Sequence, residues 1–236
     1  MKESVFRFKY FAVRHDGVAL KVGTDGVLLG VLADVDGVVS VLDVGVGSGL
    51  ISLIVAQRNR CAHVLGIDID PKAVQQATDN FASSPWAGRL TAQKADFRYF
   101  DHGALFDLIL SNPPFFPTAV RSMSPARRLA RVSETLSFEQ LACRAASNLA
   151  PGGVFQLILP FAYADDSVFT AWQYGLRLLK RIDIRTKRSK PPKRAILSFT
   201  NSPVAQSRYA SNELILLGED GSPTSEYRAL TSDFYV

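Results

Sequence analysis

Asp43-Val44-Gly45-Val46-Gly47-Ser48-Gly49-Leu50 lies between two different periodicities. Before it, Val38 to Val44 is a continuous apolar run that reads as a buried strand; after it, Leu50 to Arg58 follows a helical pattern. Glycines in such a turn let the backbone take positive φ and come close to a ligand. The alternation continues on the C-terminal side. His63 to Ile67, Leu90 to Lys94, Phe106 to Leu110 and Val154 to Leu159 read as strands. Pro71 to Phe81 and Phe138 to Leu149 read as helices, the first opened by proline at its first position. Arg177 to Thr186, Ala195 to Thr200 and Glu213 to Leu217 are further strand candidates, and Pro191-Pro192 marks a turn. On the N-terminal side, Phe6-Arg7-Phe8-Lys9-Tyr10 has the period of a half-buried strand. His15-Asp16-Gly17 should turn it into a second short strand ending near Lys21, and Asp25 should cap a helix through Leu32. The pattern predicts an α/β fold over residues 1–236 as a single domain. Its doubly wound, mostly parallel, seven-stranded Rossmann-like sheet should carry a short hairpin-and-helix extension, residues 1–37, packed over the ligand site.

Composition excludes several classes. With 236 residues, 47% hydrophobic and 21% charged, the chain can bury a full core and is not a disordered tail. Its apolar runs fall short of the roughly 18 residues of a membrane span, and no apolar signal core follows Met1-Lys2-Glu3-Ser4. Cys61 and Cys143 stand apart without neighbouring ligands, which argues against a zinc cluster or disulfide framework and fits a reducing cytoplasm. No metal and no membrane partner are expected, and a monomer is favoured. His15, His63 and His102 are scattered and read as structural or surface residues.

The net charge of 27 − 22 = +5 is concentrated. Between Lys180 and Arg194 eight basic residues face one acid, Asp183; the remainder carries 19 − 21 = −2. Lys187, Arg188, Lys190, Lys193 and Arg194 form the dense part of that segment, and Arg121, Arg127, Arg128 and Arg131 make a second set. Clustered cations of this kind gain affinity for phosphates by releasing condensed counterions, which points to nucleic acid.

In a doubly wound sheet a ligand sits at the carboxyl ends of the strands, where the glycine turn lies. Asp68 ends the second strand in Gly66-Ile67-Asp68-Ile69, where its carboxylate can accept hydrogen bonds from both ribose hydroxyls. The dinucleotide fingerprint requires glycines at i, i+2 and i+5. Counted from Gly45, position i+5 is Leu50, and the third glycine comes early at Gly49. This G-x-G-x-G form, opened by Asp43, resembles the S-adenosylmethionine (SAM) loop of class I methyltransferases. Asp96 follows the next strand, placed to accept from an adenine amino group, with Phe97 as an apolar neighbour.

After the fourth strand comes Ser111-Asn112-Pro113-Pro114-Phe115. Two prolines stiffen the backbone and remove two N–H donors, leaving carbonyls near the turn as acceptors. The motif resembles the N-P-P-[FY] tetrad of methyltransferases that modify an amino nitrogen conjugated to a π-system. The resemblance implies that the Asn112 side-chain carbonyl and the Pro113 main-chain carbonyl accept the two amino protons, while Phe115 stacks on a flipped-out base. The tetrad leaves adenine N6, guanine N2 in ribosomal RNA and the glutamine amide of release factors open. About 37 residues precede the first sheet strand, too few for the helical substrate domain usual in the last group.

Phe8-Lys9-Tyr10-Phe11 and Lys21-Val22-Gly23-Thr24-Asp25-Gly26-Val27-Leu28-Leu29-Gly30 are similar to the opening of the bacterial tRNA adenine-N6 methyltransferases that act on adenine 37 of a valine tRNA. The resemblance continues through the glycine loop, the tetrad, Arg128-Leu129-Ala130-Arg131, Phe155 to Pro160, and Glu226-Tyr227 to Phe234-Tyr235. Val132 departs from it, standing where the family pattern places histidine. The resemblance implies SAM-dependent methylation of adenine N6 in tRNA, with Lys21 and Thr24 near the methionine end of SAM. The arginines of 116–131 would border the target-base pocket, and the Lys180 to Arg194 segment would hold the anticodon arm. Readings from other classes are a dinucleotide oxidoreductase, disfavoured by Leu50, and a non-enzymatic RNA-binding module, disfavoured by Asn112.

Overall fold

The computed structural model describes residues 4–15, 22–113, 136–202 and 209–235. In chain order its elements are β1 (Val5–Arg7), β2 (Ala12–Arg14), α1 (Thr24–Val31), β3 (Ser40–Val44), α2 (Leu50–Arg58), β4 (His63–Asp68), α3 (Pro71–Ala82), β5 (Leu90–Lys94) and β6 (Phe106–Ser111). They continue with α4 (Phe138–Asn148), β7 (Leu149–Pro160), α5 (Ala164–Gln173), β8 (Arg177–Arg185), β9 (Arg194–Thr200), β10 (Ala210–Ile215) and α6 (Ser225–Thr231).

The main sheet has the order β10-β8-β9-β7-β6-β3-β4-β5. Its pairs are parallel except those made by β9, which runs antiparallel to both β7 and β8. That is eight strands, one more than the seven expected. The eighth is the edge strand β10, which starts three residues before the strand expected over Glu213 to Leu217; in it Ala210, Ser211, Asn212 and Glu213 are exposed and Leu214 is buried. Helices cover both faces. One apolar cluster joins α1, α2, α3 and the N-terminal hairpin to one face; the other packs α4 and α5 against the opposite face. The parallel central strands are buried on both sides and therefore read as continuous apolar runs.

Three local expectations need correction. The chain already turns at 8–11, inside the strand expected over Phe6 to Tyr10: Phe8 N–H donates to Phe11 O at 2.8 Å, and Arg7 pairs with Ala12; Asp16, Gly17 and the rest of the expected second strand to Lys21 lie outside the described residues. Phe8 and Phe11 are both buried, with rings stacked at 4.6 Å, so burying this aromatic pair sets the turn. Asp25 does not cap α1. Gly23 is the N-cap, without a side-chain cap bond, and Asp25 lies inside the first turn with its carboxylate on Arg194. Helices α5 and α6 were not anticipated. The first has no side-chain N-cap, and Thr224 caps the second through Tyr227 N–H. His102 is structural, stacked on Phe100 and Phe106.

Candidate active site

The chain runs from β3 outward through β4 to β5, then returns to lay β6 on the other side of β3. The direction of winding reverses between β3 and β6, and there the carboxyl ends open a crevice. Asp43 and the glycine loop close β3, Asp68 and Ile69 end β4, Asp96 and Phe97 follow β5, and Asn112 and Pro113 follow β6. Ser111 Oγ donates to Val44 O at 3.0 Å, fastening the base of the proline turn to the base of the glycine loop. Asn112 and Pro113 are half-buried, and Pro113 lines a cleft of about 450 Å³ that runs to α4 and α5.

The loop uses its three glycines differently. Gly45, Gly47 and Gly49 all have positive φ, 78°, 54° and 80°. A Cβ on Gly45 would meet nothing within 4 Å, and one on Gly47 only the Gly45 carbonyl at 3.9 Å, so open space lies over both. At Gly49 a Cβ would overlap the Phe81 ring, so this third glycine serves close packing of the loop on α3. Gly45 and Val46 N–H both donate to Ile67 O, at 2.8 and 2.9 Å. The Asp68 carboxylate accepts from Gly47 N–H at 3.1 Å and from Asp70 N–H at 3.0 Å. Beside it Ile69 is 55% exposed, an apolar surface at the lip of the crevice.

Asp43 is fully buried, accepts from Ser52 Oγ at 2.7 Å through Oδ2, and has no partner for Oδ1 among the described residues. Burial pushes its carboxyl up to about 6, against the Ser52 hydrogen bonds, which pull it down; the nearby Asp68 charge adds to the rise. Asp96 is gripped by Arg98, whose Nε and Nη2 reach its two oxygens at 2.6 to 3.0 Å, and this hydrogen bonding holds its carboxyl below the usual range. Each carboxylate oxygen keeps acceptor capacity beyond such a pair. Phe97 is buried against Phe100 in the core, so it supports the loop from beneath. Open space over Gly45 and Gly47, the orphaned Asp43 oxygen and the Asp68 carboxylate together fit SAM, which carries a ribose diol and positive charge.

Sequence reasoning missed a residue that ties the site together. Asn80 on α3 is buried, and its amide donates to Ser48 O in the glycine loop and to Arg14 O in β2, both at 2.8 Å. Its carbonyl accepts from Arg14 N–H at 3.0 Å. A single asparagine on an amphipathic helix reads as surface, and nothing local to it betrays this clamp.

The basic segment also resolves into two groups. Lys180 pairs with Asp34, Arg181 with Asp165 and Asp183, and Arg185 with Glu213. Lys187 donates to Glu219 O at 2.8 Å, and Arg194 to Asp25 at 2.7 Å. Arg188, Lys190 and Lys193 are exposed, with no side-chain hydrogen bond or ion pair among the described residues. They lie on the connection from β8 to β9, which projects from the same edge of the sheet as the glycine loop and Asn112. Thr24 begins α1, which packs its Gly26 on Leu50 at the end of the glycine loop. Lys21, Pro114, Phe115, Arg121, Arg127, Arg128, Arg131 and Val132 lie outside the described residues. Among the described residues no helix is long and apolar enough to cross a membrane, and no group of His, Cys, Asp or Glu could hold a metal ion.

Residues 20–161 match the model of the methyltransferase small domain. Solved structures share the fold. A protein of Agrobacterium tumefaciens described as a predicted O-methyltransferase superposes with TM-score 0.66 at 18% identity, over 89% of this chain and 96% of its own. A TehB-like SAM-dependent methyltransferase of Corynebacterium glutamicum does so with 0.51 at 18%, over 75% and 88%. Relatives named tRNA1(Val) (adenine(37)-N6)-methyltransferase are similar end to end. That of Phocaeicola vulgatus is 41% identical over 100% of this chain and 99% of its own. Those of Bacteroides thetaiotaomicron and Citrobacter koseri are 36% and 38% identical over 100% of this chain and 99% and 96% of theirs. With a class I methyltransferase fold and this full-length similarity, the chain belongs to the tRNA1(Val) (adenine(37)-N6)-methyltransferase family.

Proposed function

We propose that this protein transfers a methyl group from SAM to the exocyclic N6 of an adenine in tRNA, adenine 37 of a valine tRNA being the target its relatives' name specifies. The observation that carries this reading is the position of Asn112-Pro113 at the switch point of the sheet, bonded through Ser111 to the base of the glycine loop. Asp68 would take the ribose hydroxyls, Ile69 an adenine face and Asp96 its amino group. Gly45 and Gly47 would leave room for the cofactor, with Asp43, Thr24 and Lys21 toward its methionine end. Bound there, SAM supplies a methyl group activated by a sulfonium.

An amino group conjugated to adenine is a weak nucleophile because its lone pair is delocalised. Asn112 Oδ1 and the Pro113 carbonyl accept its two N–H bonds, which favours a pyramidal nitrogen with its lone pair directed at the methyl carbon. As the N–CH3 bond forms and the S–CH3 bond breaks, leaving its electron pair on sulfur, the nitrogen becomes cationic and acidic, and its extra proton passes to solvent. Positioning and fixed dipoles perform this work without a charged base. By the resemblance of the tetrad, Pro114 would stiffen the turn and Phe115 would stack on the extruded base. Arg188, Lys190 and Lys193 lie at the same edge and suit phosphates of the anticodon arm, contacts that position without specifying. The arginines Arg121, Arg127, Arg128 and Arg131 follow the tetrad in sequence and belong to the same reading. The setting is the cytoplasm, where tRNA is modified.

Purified protein incubated with bulk bacterial tRNA and labelled SAM, followed by nucleoside digestion and mass spectrometry, tests this. N6-methyladenosine should form. Asn112→Ala should cut turnover at least a hundredfold while changing SAM affinity less than threefold. N2-methylguanosine formed on ribosomal RNA instead, or an equal loss of turnover and affinity, would overturn the assignment.

A further inference from the structure

A second cleft, of about 330 Å³, opens between the first turn of α1, the ends of β8 and β10, the start of β9 and α6. Its floor is apolar, made by Leu28, Ile184, Leu216 and Leu217, with the ring of Tyr227 as one wall. Its charged lining is Lys193, Arg194 and Asp25, two cations against one carboxylate. Asp25 holds Arg194 at 2.7 Å, and Arg194 Nη1 also donates to Lys193 O at 3.1 Å, so the guanidinium is fixed in place. Thr186 adds a hydroxyl. An apolar floor with a few placed polar groups and a volume near the lower end of small-molecule pockets describes a ligand site rather than a packing defect.

The cleft lies on the carboxyl edge. β8 and β10 run parallel to the central strands, and both contribute their C-terminal ends, while β9 enters with Arg194, paired to Pro160 at the end of β7. From β6, which Asn112 follows, β9 and β8 are two and three strand spacings away, about 10 to 14 Å. A single strand of RNA covers that distance with a few nucleotides. Resting on the reading of this protein as a tRNA methyltransferase, we propose that the cleft is a second nucleotide subsite. It takes one nucleotide flanking the target adenosine, its base or ribose on Leu28, Ile184, Leu216 and Leu217 and its phosphate on Lys193, beside the Arg194 guanidinium that Asp25 holds. Apolar burial makes this contact more than a phosphate clamp: it holds the strand in register, so that the base presented at Asn112 is fixed by its spacing from the cleft.

The test uses RNA oligonucleotides carrying the target adenosine, lengthened one nucleotide at a time on either side, with affinity read by fluorescence anisotropy and methylation by nucleoside mass spectrometry. Wild-type affinity should rise tenfold or more at one particular added nucleotide on one side. Leu217→Trp, which fills the floor, should abolish that step while leaving the shorter oligonucleotides within twofold. Lys193→Glu, at an exposed position that folding does not need, should reduce the step at least fivefold and keeps the test alive if Leu217→Trp does not fold. A smooth rise without a step, or a step that survives both substitutions, overturns the subsite. Because the step is read in binding, its presence without any methylation would overturn the reaction and leave the subsite standing.

Discussion

Asp43 is a carboxylate placed where water cannot reach it, with one oxygen on Ser52 and the other unpartnered among the described residues. Its carboxyl rises from 3.8 to about 6, chiefly through burial, so the folded state holds the proton more tightly than the unfolded chain does. Below about pH 3.8 both states are protonated and Asp43 costs nothing. The cost grows between pH 3.8 and 6 and is complete above pH 6, reaching about 3 kcal/mol at roughly 1.4 kcal/mol per pKa unit. Asp43→Asn removes the charge but leaves a buried amide, so its absolute effect on stability mixes two contributions. The pH dependence separates them. Denaturant unfolding at pH 4 and pH 7.5 should show the stability difference moving toward the variant by roughly 2 kcal/mol on going to the higher pH, since part of the cost is already present at pH 4; a difference constant across that range would mean that the Asp43 carboxylate stays hydrated and titrates as in the unfolded chain. Cofactor affinity should fall in the same variant at neutral pH, because a buried anion facing a cationic ligand is stability given up at rest for binding.

Between elements, Asn80 is the joint. It connects β2, α3 and the glycine loop through three hydrogen bonds, and it lies 66 residues from Arg14 and 32 from Ser48. Leaving buried backbone groups unpaired costs roughly 1 to 3 kcal/mol, so Asn80→Ala should lower stability by about 3 kcal/mol and weaken SAM affinity several-fold as the Ser48 turn loosens. Lys9→Ala is the control: its exposed bond to Ser232 O ties the hairpin to the C-terminal tail, and its loss should cost under about 1 kcal/mol without touching SAM. Equal effects of the two variants on SAM affinity would show that the hairpin, not the loop, is what Asn80 steadies. The pair also shows what can be read from sequence. Buried strands, the loop that follows β3 and the proline turn after β6 are legible because each is a local pattern with a local physical cause. Asn80 is not legible, because its partners come from elements brought together only by folding. Nor was the turn at Phe8 and Phe11, where alternation suggested a strand and mutual burial of two rings decided otherwise. The Asp96–Arg98 pair is the reverse case: two residues apart, it was open to view, yet Asp96 alone was read as a ligand.

Over the whole molecule, the charge count located the basic surface but not its working part. Lys180, Arg181, Arg185, Lys187 and Arg194 are spent on acids or carbonyls of the same chain, some of them far away in sequence, as with Arg194 and Asp25. Such cations hold the sheet edge together and have little left to exchange for a phosphate. Arg188, Lys190 and Lys193 remain exposed on a projection beside the site, on a molecule whose remaining charge outside the 180–194 segment is −2. RNA should therefore be drawn to that projection, together with the arginines of 116–131. Each phosphate neutralised contributes about 0.7 to 0.9 to the slope of log K against log salt. Arg188→Ala with Lys190→Ala should flatten that slope for tRNA by about 1.4 to 1.8 and leave the unfolding temperature nearly unchanged. Arg185→Ala, which breaks a pair with Glu213 across β8 and β10, should do the opposite, lowering stability while the slope stays within about 0.5 of wild type. If the double variant keeps the wild-type slope, the anticodon arm is held elsewhere on the chain, and the projection from β8 to β9 is a solvated surface without a role in RNA binding.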